Sequence, residues 1–310
     1  MSELPPLPPR PKKLERVETA SSTFISDFST DWDSKVLHTY STSDSAKDRP
    51  VLVCVHGGGH TGLSWDVLAR RMCDVVIIAP DLPGHGLSDP ADMGIDSLVE
   101  ATEAAVCDVY VKLAAKGPTV LVGHSLGGSI AVRLAHRDRV PSIKALVVLD
   151  AVETTAVASL SHMSHFVKNI PKRFPSQRAA VEWSLHNMLK NSESARLSVP
   201  SQLKLVEDHY EWRLDLSTTE KYWPGWFDGL TEMFLGCSGV YKVLMVAGRR
   251  ETLDKKLIIG HMQGKFQLIP LPHSGHVLME DQPDAVAAAL TTLIKRLSLT
   301  ETVFTAPLDS

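Results

Sequence analysis

A serine flanked two positions to either side by glycine stands at Gly123-His124-Ser125-Leu126-Gly127, directly after the β-branched run 119–122 and directly before a helical pattern at 129–136. This spacing predicts a strand-turn-helix elbow that thrusts a hydroxyl nucleophile clear of a sheet. Such a turn is strained and crowded, and side chains at the two glycine positions would collide with the neighbouring strand and helix. The pentapeptide alone is common in proteins; its position between a strand and a helix gives it weight. A serine attacks a carbonyl only when a base takes its proton and donors stabilise the oxyanion, so the rest of the chain must supply both.

The donors are sought in His56-Gly57-Gly58-Gly59-His60, immediately after the run 51–55. A glycine run here lets backbone N–H groups approach a substrate carbonyl, and the expected oxyanion pair is Gly58 with Leu126, the residue after the nucleophile. The alternative, a phosphate-binding turn, lacks both GK[ST] and GxGxxG. The base is expected at His276, in Ser274-Gly275-His276, which follows the strand 266–269 and the loop 270–275 and precedes the last helix; His273 is the alternative. Chain order, serine first and histidine last, agrees with that placement. The carboxylate is open. Asp150 closes the run 145–149 with Glu153 just beyond, and Glu251 and Asp254 follow the run 243–246. Position at the carboxyl end of a strand favours Asp150, because catalytic groups collect at that edge of a parallel sheet. Asp81 and His85, in DLPGHGLSD, read as parts of a structural turn. His162 and His165 lie three apart with no evident third ligand, so no metal and no cofactor are expected.

The elements that must position these groups follow a regular alternation. Short apolar runs at 51–55, 75–79, 119–122, 145–149, 243–246 and 266–269 read as buried strands, and 65–72, 97–115, 129–136 and 284–297 carry apolar residues at helical spacing. Alternation of this kind predicts α/β architecture, a mostly parallel, doubly wound sheet. One interval, 151–240, breaks the rhythm with helical but no clear strand pattern, and is expected to be a helical cap inserted after the run 145–149, the sixth strand in the usual numbering of such a sheet. Residues 1–30 are rich in Pro, Lys and Ser and read as an extended or disordered arm, leaving 31–310 as the folded domain.

Across 310 residues, 44% hydrophobic and 22% charged content suits a globular domain. A net charge of −4, with basic and acidic residues spread along the chain, gives no case for nucleic acid or an anionic membrane as partner. Cys54, Cys73, Cys107 and Cys237 stand far apart and read as reduced thiols. No apolar run approaches the about 20 residues that span a bilayer, and the first residues lack the apolar core of a secretory signal, so a cytosolic or nuclear location is expected.

Several segments resemble the protein phosphatase methylesterases, a branch of the α/β-hydrolase superfamily. They are HGGGHTGLSW (56–65), GHSLGGSIAV (123–132), VVLDAVETTA (147–156), NSESARLSV (191–199), YEWRLDLSTTEKYWPGWFDGL (210–230) and LDKKLIIGHMQGKFQ (253–267). The first two are shared by many hydrolases; TEKYWPGWF and GHMQGKFQ are far more particular. The resemblance implies the α/β-hydrolase fold and hydrolysis of the methyl ester on the C-terminal leucine of the type 2A protein phosphatase catalytic subunit, a protein partner, without a cofactor. It also implies an acid after the sixth strand, which falls on Asp150. The chain departs from well-known members where they carry a long acidic insertion in the cap, since only VEDHYEW (206–212) bridges that point. Trp212, Tyr222, Trp223 and Trp226 are candidates for gripping the partner, with packing of the cap onto the sheet as the alternative. A general small-molecule esterase and a non-catalytic binding protein of the same fold are the competing readings.

Overall fold

The computed structural model describes residues 21–248 and 253–304, with side chains through residue 297. Six parallel strands form its centre: β3 (Val51–Val55), β4 (Val76–Pro80), β5 (Thr119–His124), β6 (Ile143–Leu149), β10 (Tyr241–Ala247) and β11 (Gln267–Leu271). The runs of the inner strands are continuous because helices cover both faces, whereas the edge strand β11 leaves Gln267 and Pro270 exposed. β3 and β4 are buried at every position.

Two strands precede this set. β1 (Ser26–Trp32) and β2 (Lys35–Ser41) form an antiparallel hairpin whose second strand pairs with β4, giving the sheet order β1-β2-β4-β3-β5-β6-β10-β11. The boundary expected after residue 30 therefore does not hold, since the folded domain already includes β1. Residues 1–20 lie outside the described residues, and from Ser22 the chain is docked, with the Thr23 hydroxyl and backbone N–H both donating to buried Asp66. β1 alternates exposed and partly buried positions, with few β-branched residues, so a search for continuous apolar runs passes over it.

The expected interruption is present. After β6 come helices at Glu153–Lys168, Gln177–Asn187 and Ser192–Ser198, then the aromatic helix Trp223–Phe227 and Leu230–Gly236. The cap is not purely helical, however: β7 (Arg173–Phe174), β8 (Leu203–Val206) and β9 (His209–Trp212) form a small antiparallel sheet in the order β7-β9-β8. The VEDHYEW stretch is its hairpin, turning on Glu207 and Asp208, with Glu207 at a positive φ of 52°. These strands are only two to four residues long. Such short runs carry too few alternations for periodicity to reveal them.

The apolar core divides across the sheet. One side gathers Leu121, Ile130, Val148 and Leu244 with the cap residues Trp223, Trp226 and Phe227; the other gathers Trp65, Val122, Val147, Leu278 and Leu290. Strand register brings the carboxyl ends level. Gly123 pairs with Val55, His124 with Leu149, and Met245 with Leu149, so the loops leaving β3, β5, β6 and β10 emerge side by side at one edge.

Candidate active site

Ser125 is the residue between β5 and the helix Leu126–Arg137, with φ 52° and ψ −119°. A non-glycine residue in this region is strained, and the turn is held from both sides: the Ser125 N–H donates to Leu149 O (3.0 Å), and its carbonyl accepts from Gly128 N (2.9 Å). The glycines are obligatory. A Cβ on Gly123 would stand 2.1 Å from Gly127 O, and one on Gly127 would stand 2.2 Å from Val55 O.

Asp150 follows Leu149 at the end of β6, also at positive φ (48°), a conformation that aspartate tolerates better than most residues. Its backbone N–H donates to Met245 O (2.8 Å), which fixes it above β10. One carboxylate oxygen accepts from Ala247 N–H (2.8 Å) and the other lies 2.7 Å from His276 Nδ1. The carboxylate is thus oriented by one bond before it orients anything else. His276 is carried on the loop after β11, and three contacts pin that loop: His124 Nε2–H donates to His276 O (2.8 Å), Gly275 N–H to Asp281 (2.6 Å), and Lys190 Nζ to His273 O (3.1 Å). The imidazole side chain is 56% exposed, whereas Asp150 beneath it is 21% exposed.

The other acids and the other histidine are placed elsewhere. Asp254 caps the helix Lys255–Met262 by accepting from Leu257 N–H (2.8 Å) and takes a second bond from the Thr231 hydroxyl (2.9 Å). Glu153 accepts from the N–H groups of Gly229 and Thr231. Glu251 lies outside the described residues. His273 is exposed and does not line the cavity beside Ser125.

That cavity, of about 480 Å³, is bordered by Ser125, His276, Gly58 and Leu126, and its far walls are Met163, Phe166, Leu189, Trp223, Trp226 and Phe227. The loop donor is narrowed by its neighbours, because the Gly59 N–H is already given to His85 Nε2 (2.9 Å). Gly58 remains, and Leu126, as the first helical residue, has no intrahelical acceptor for its N–H. Trp223 and Trp226 are buried and anchored through indole N–H groups to Thr219 and Met93 O, so they shape the cavity from inside and present no free outer face. Trp212 is bonded to Pro171 O beside a second cavity, while Tyr222 borders neither and donates its hydroxyl to Asp92.

Three buried histidines support this edge, and their contribution is absent from the sequence reading. His56 and His85 each donate Nδ1–H to a carbonyl (Gly57 O and Pro83 O), which leaves Nε2 to accept from Leu82 N–H and Gly59 N–H respectively. Each is therefore neutral by geometry. Burial is the main cause that depresses their affinity for protons: His56 and His124 are held well below the ordinary histidine range, and His85 falls from 6.5 to about 4. His85 contributes stability fully present above pH 6.5, which is lost as pH falls through about 4, because the unfolded chain takes up the proton first. The contribution is on the order of 3 kcal/mol. Urea midpoints measured from pH 7 to pH 4 are expected to fall, and His85→Gln, which cannot take the proton, to fall less steeply; parallel slopes would reject this role.

The profile of the alpha/beta hydrolase family matches residues 52–289. The chain is 40% identical over 247 residues to a probable protein phosphatase methylesterase 1 of Caenorhabditis elegans, covering 77% of this chain and 67% of that one. It is 36% identical to the protein phosphatase methylesterase 1 of Homo sapiens, covering 86% and 81%, and 38% identical to that of Candida albicans, covering 89% and 76%. Among solved structures, E-2-(acetamidomethylene)succinate hydrolase superposes with a TM-score of 0.73 at 18% identity, covering 88% of this chain and 99% of that one, a likeness of fold alone. With the profile spanning most of the chain and relatives of one activity in animals and yeast, the chain is a serine ester hydrolase belonging to the protein phosphatase methylesterase family.

Proposed function

We propose that the chain removes the methyl ester from the C-terminal leucine of the type 2A protein phosphatase catalytic subunit, with Ser125, His276 and Asp150 as its triad. The observation that carries this reading is the juxtaposition of Ser125 with the Asp150–His276 pair at the border of an apolar cavity walled by cap residues, in a chain whose relatives are protein phosphatase methylesterases. Ser125 Oγ attacks the ester carbonyl while His276 Nε2 takes its proton, and Asp150 holds Nδ1–H in place and stabilises the imidazolium. The backbone N–H groups of Gly58 and Leu126 receive the oxyanion; one such donor is typically worth about 3 to 4 kcal/mol of transition-state stabilisation. His276 returns the proton to the leaving oxygen and methanol departs. Water, activated by the same imidazole, then cleaves the acyl-enzyme to the free carboxylate.

The apolar cavity suits a terminal leucine side chain, with Phe166, Trp223, Trp226 and Phe227 supplying aromatic surface. Purified protein incubated with methylated phosphatase 2A and, in parallel, with short-chain nitrophenyl esters is expected to demethylate the phosphatase with a much higher kcat/KM. Comparable turnover of every small ester with no demethylation would favour a general esterase.

A further inference from the structure

The second cavity, about 400 Å³, lies against the first, and the two share Gly58, Val167, Met188 and Leu216 as a common wall. Their chemistry is opposite. The first is lined chiefly by apolar side chains, whereas the second is bordered by five cations, Lys168, Lys172, Arg173, Lys204 and Arg213, against two carboxylates, Glu211 and Asp215. In a chain of net charge −4 this is a local inversion of sign, placed next to the loop that carries the candidate oxyanion donor.

The two carboxylates are already engaged. Glu211 accepts from His209 (2.9 Å) and faces Arg173 (3.4 Å), and Asp215 accepts from the Ser217 N–H and hydroxyl and faces Lys172 (3.7 Å). Lys168 pairs outside the cavity with Glu220 (3.7 Å). Among the described residues no carboxylate stands within ion-pair distance of Lys204 or Arg213, both of which are exposed. Both border the same cavity as the half-buried Trp212, whose indole is held by Pro171 O. Lys204 faces Glu211 across the β8–β9 register without closing an ion pair, and Glu211 is already shared with His209 and Arg173. Two cations in excess of the carboxylates around them make a receptor for an anionic side chain.

We propose that this cavity is a specificity subsite for an acidic residue of the substrate peptide, upstream of the esterified terminus, held by Lys204 and Arg213. The proposal rests on the preceding reading of the catalytic cavity as the seat of a peptide's terminal residue. A peptide whose last residue occupies that cavity and whose chain passes over the shared wall at Gly58 and Leu216 brings its upstream side chains to the cations. An extended chain advances about 3.3 Å per residue, so the subsite lies within a few residues of the end.

Binding to the Ser125→Ala protein separates this subsite from catalysis. Fluorescein-labelled hexapeptide methyl esters ending in leucine, with Glu, Gln or Lys at each of the second to fifth positions from the end, are titrated by anisotropy at low salt. At one or two positions the Glu peptide is expected to bind about five- to tenfold more tightly than Gln, with Lys weaker still, since exposed charge pairs are individually modest. The preference should shrink toward unity at high salt. It should disappear in Lys204→Gln/Arg213→Gln and reverse in Lys204→Glu/Arg213→Glu, with circular dichroism unchanged. Equal binding of Glu and Gln at every position, absence of binding by all peptides, or a preference that survives both double variants would overturn the subsite. Hydrolysis of the same peptides by the unaltered protein is scored separately: tight acidic binding without turnover would leave the subsite standing and count against the methylesterase reading.

Discussion

Ser125→Ala is expected to lower ester turnover by roughly a millionfold, the loss seen when the nucleophile of a serine triad is removed, with the residual rate coming from the oxyanion donors and binding. The fold should survive. Alanine keeps the Cβ that sets the strain at φ 52°, and the hydrogen bonds that hold the elbow, Ser125 N–H to Leu149 O and Gly128 N–H to Ser125 O, belong to the backbone. His276→Ala should cost nearly as much, because nucleophile and base act as a unit. His276 is largely exposed, and the loop beneath it is anchored through its carbonyl, so removing the ring empties no core position. His273→Ala supplies the contrast: its ring does not line the cavity, and only its backbone carbonyl meets Lys190. Rates on a nitrophenyl ester, with thermal melts beside them, are sufficient. A His276→Ala enzyme working near the parental rate, or a His273→Ala enzyme crippled to the same extent as Ser125→Ala, would reject the assignment.

The central strands were legible because burial on both faces leaves a continuous apolar signature, as at Val51–Val55 and Val243–Val246. β1 and the cap strands were not, since they are half exposed or too short, and they are defined by the partners they pair with rather than by their own pattern. The elbow at Ser125 belongs to the first kind: its constraints lie within five consecutive residues, so spacing exposes them. The role of His85 belongs to the second. Its bond to the Gly59 N–H spans 26 positions, and the surrounding DLPGHG stretch advertises only a turn. A signal existed in the chain, a histidine ahead of the glycine run and another in the next loop, but nothing local said that the ring nitrogens of His56 and His85 meet backbone N–H groups. The cationic cavity shows the same limit, for Lys168, Lys204 and Arg213 come from separate cap elements and converge only in space.

The choice of acid shows how a local ambiguity resolves in three dimensions, and it yields the sharpest comparison between variants. Asp150 and Asp254 both follow strands at the functional edge, and sequence position alone treats them alike. The atoms they meet do not. Asp150 receives the Ala247 N–H on one oxygen and faces His276 Nδ1 at 2.7 Å with the other, whereas both oxygens of Asp254 are used by Leu257 N–H and the Thr231 hydroxyl. In Asp150→Asn the oxygen retained toward Ala247 directs the new amide at the imidazole. Two donors cannot face each other, so Nδ1 gives up its hydrogen, Nε2 acquires it, and the nitrogen that must accept the Ser125 proton no longer can. This change of tautomer typically lowers kcat about ten-thousandfold at neutral pH. Asp254→Asn should stay within about tenfold of the parent, because asparagine caps a helix as well as aspartate does. Glu251→Gln completes the set. A ranking in which Asp254→Asn or Glu251→Gln falls to the Ser125→Ala level while Asp150→Asn remains active would move the acid to the loop after β10 and reduce the Asp150–His276 contact to a structural one.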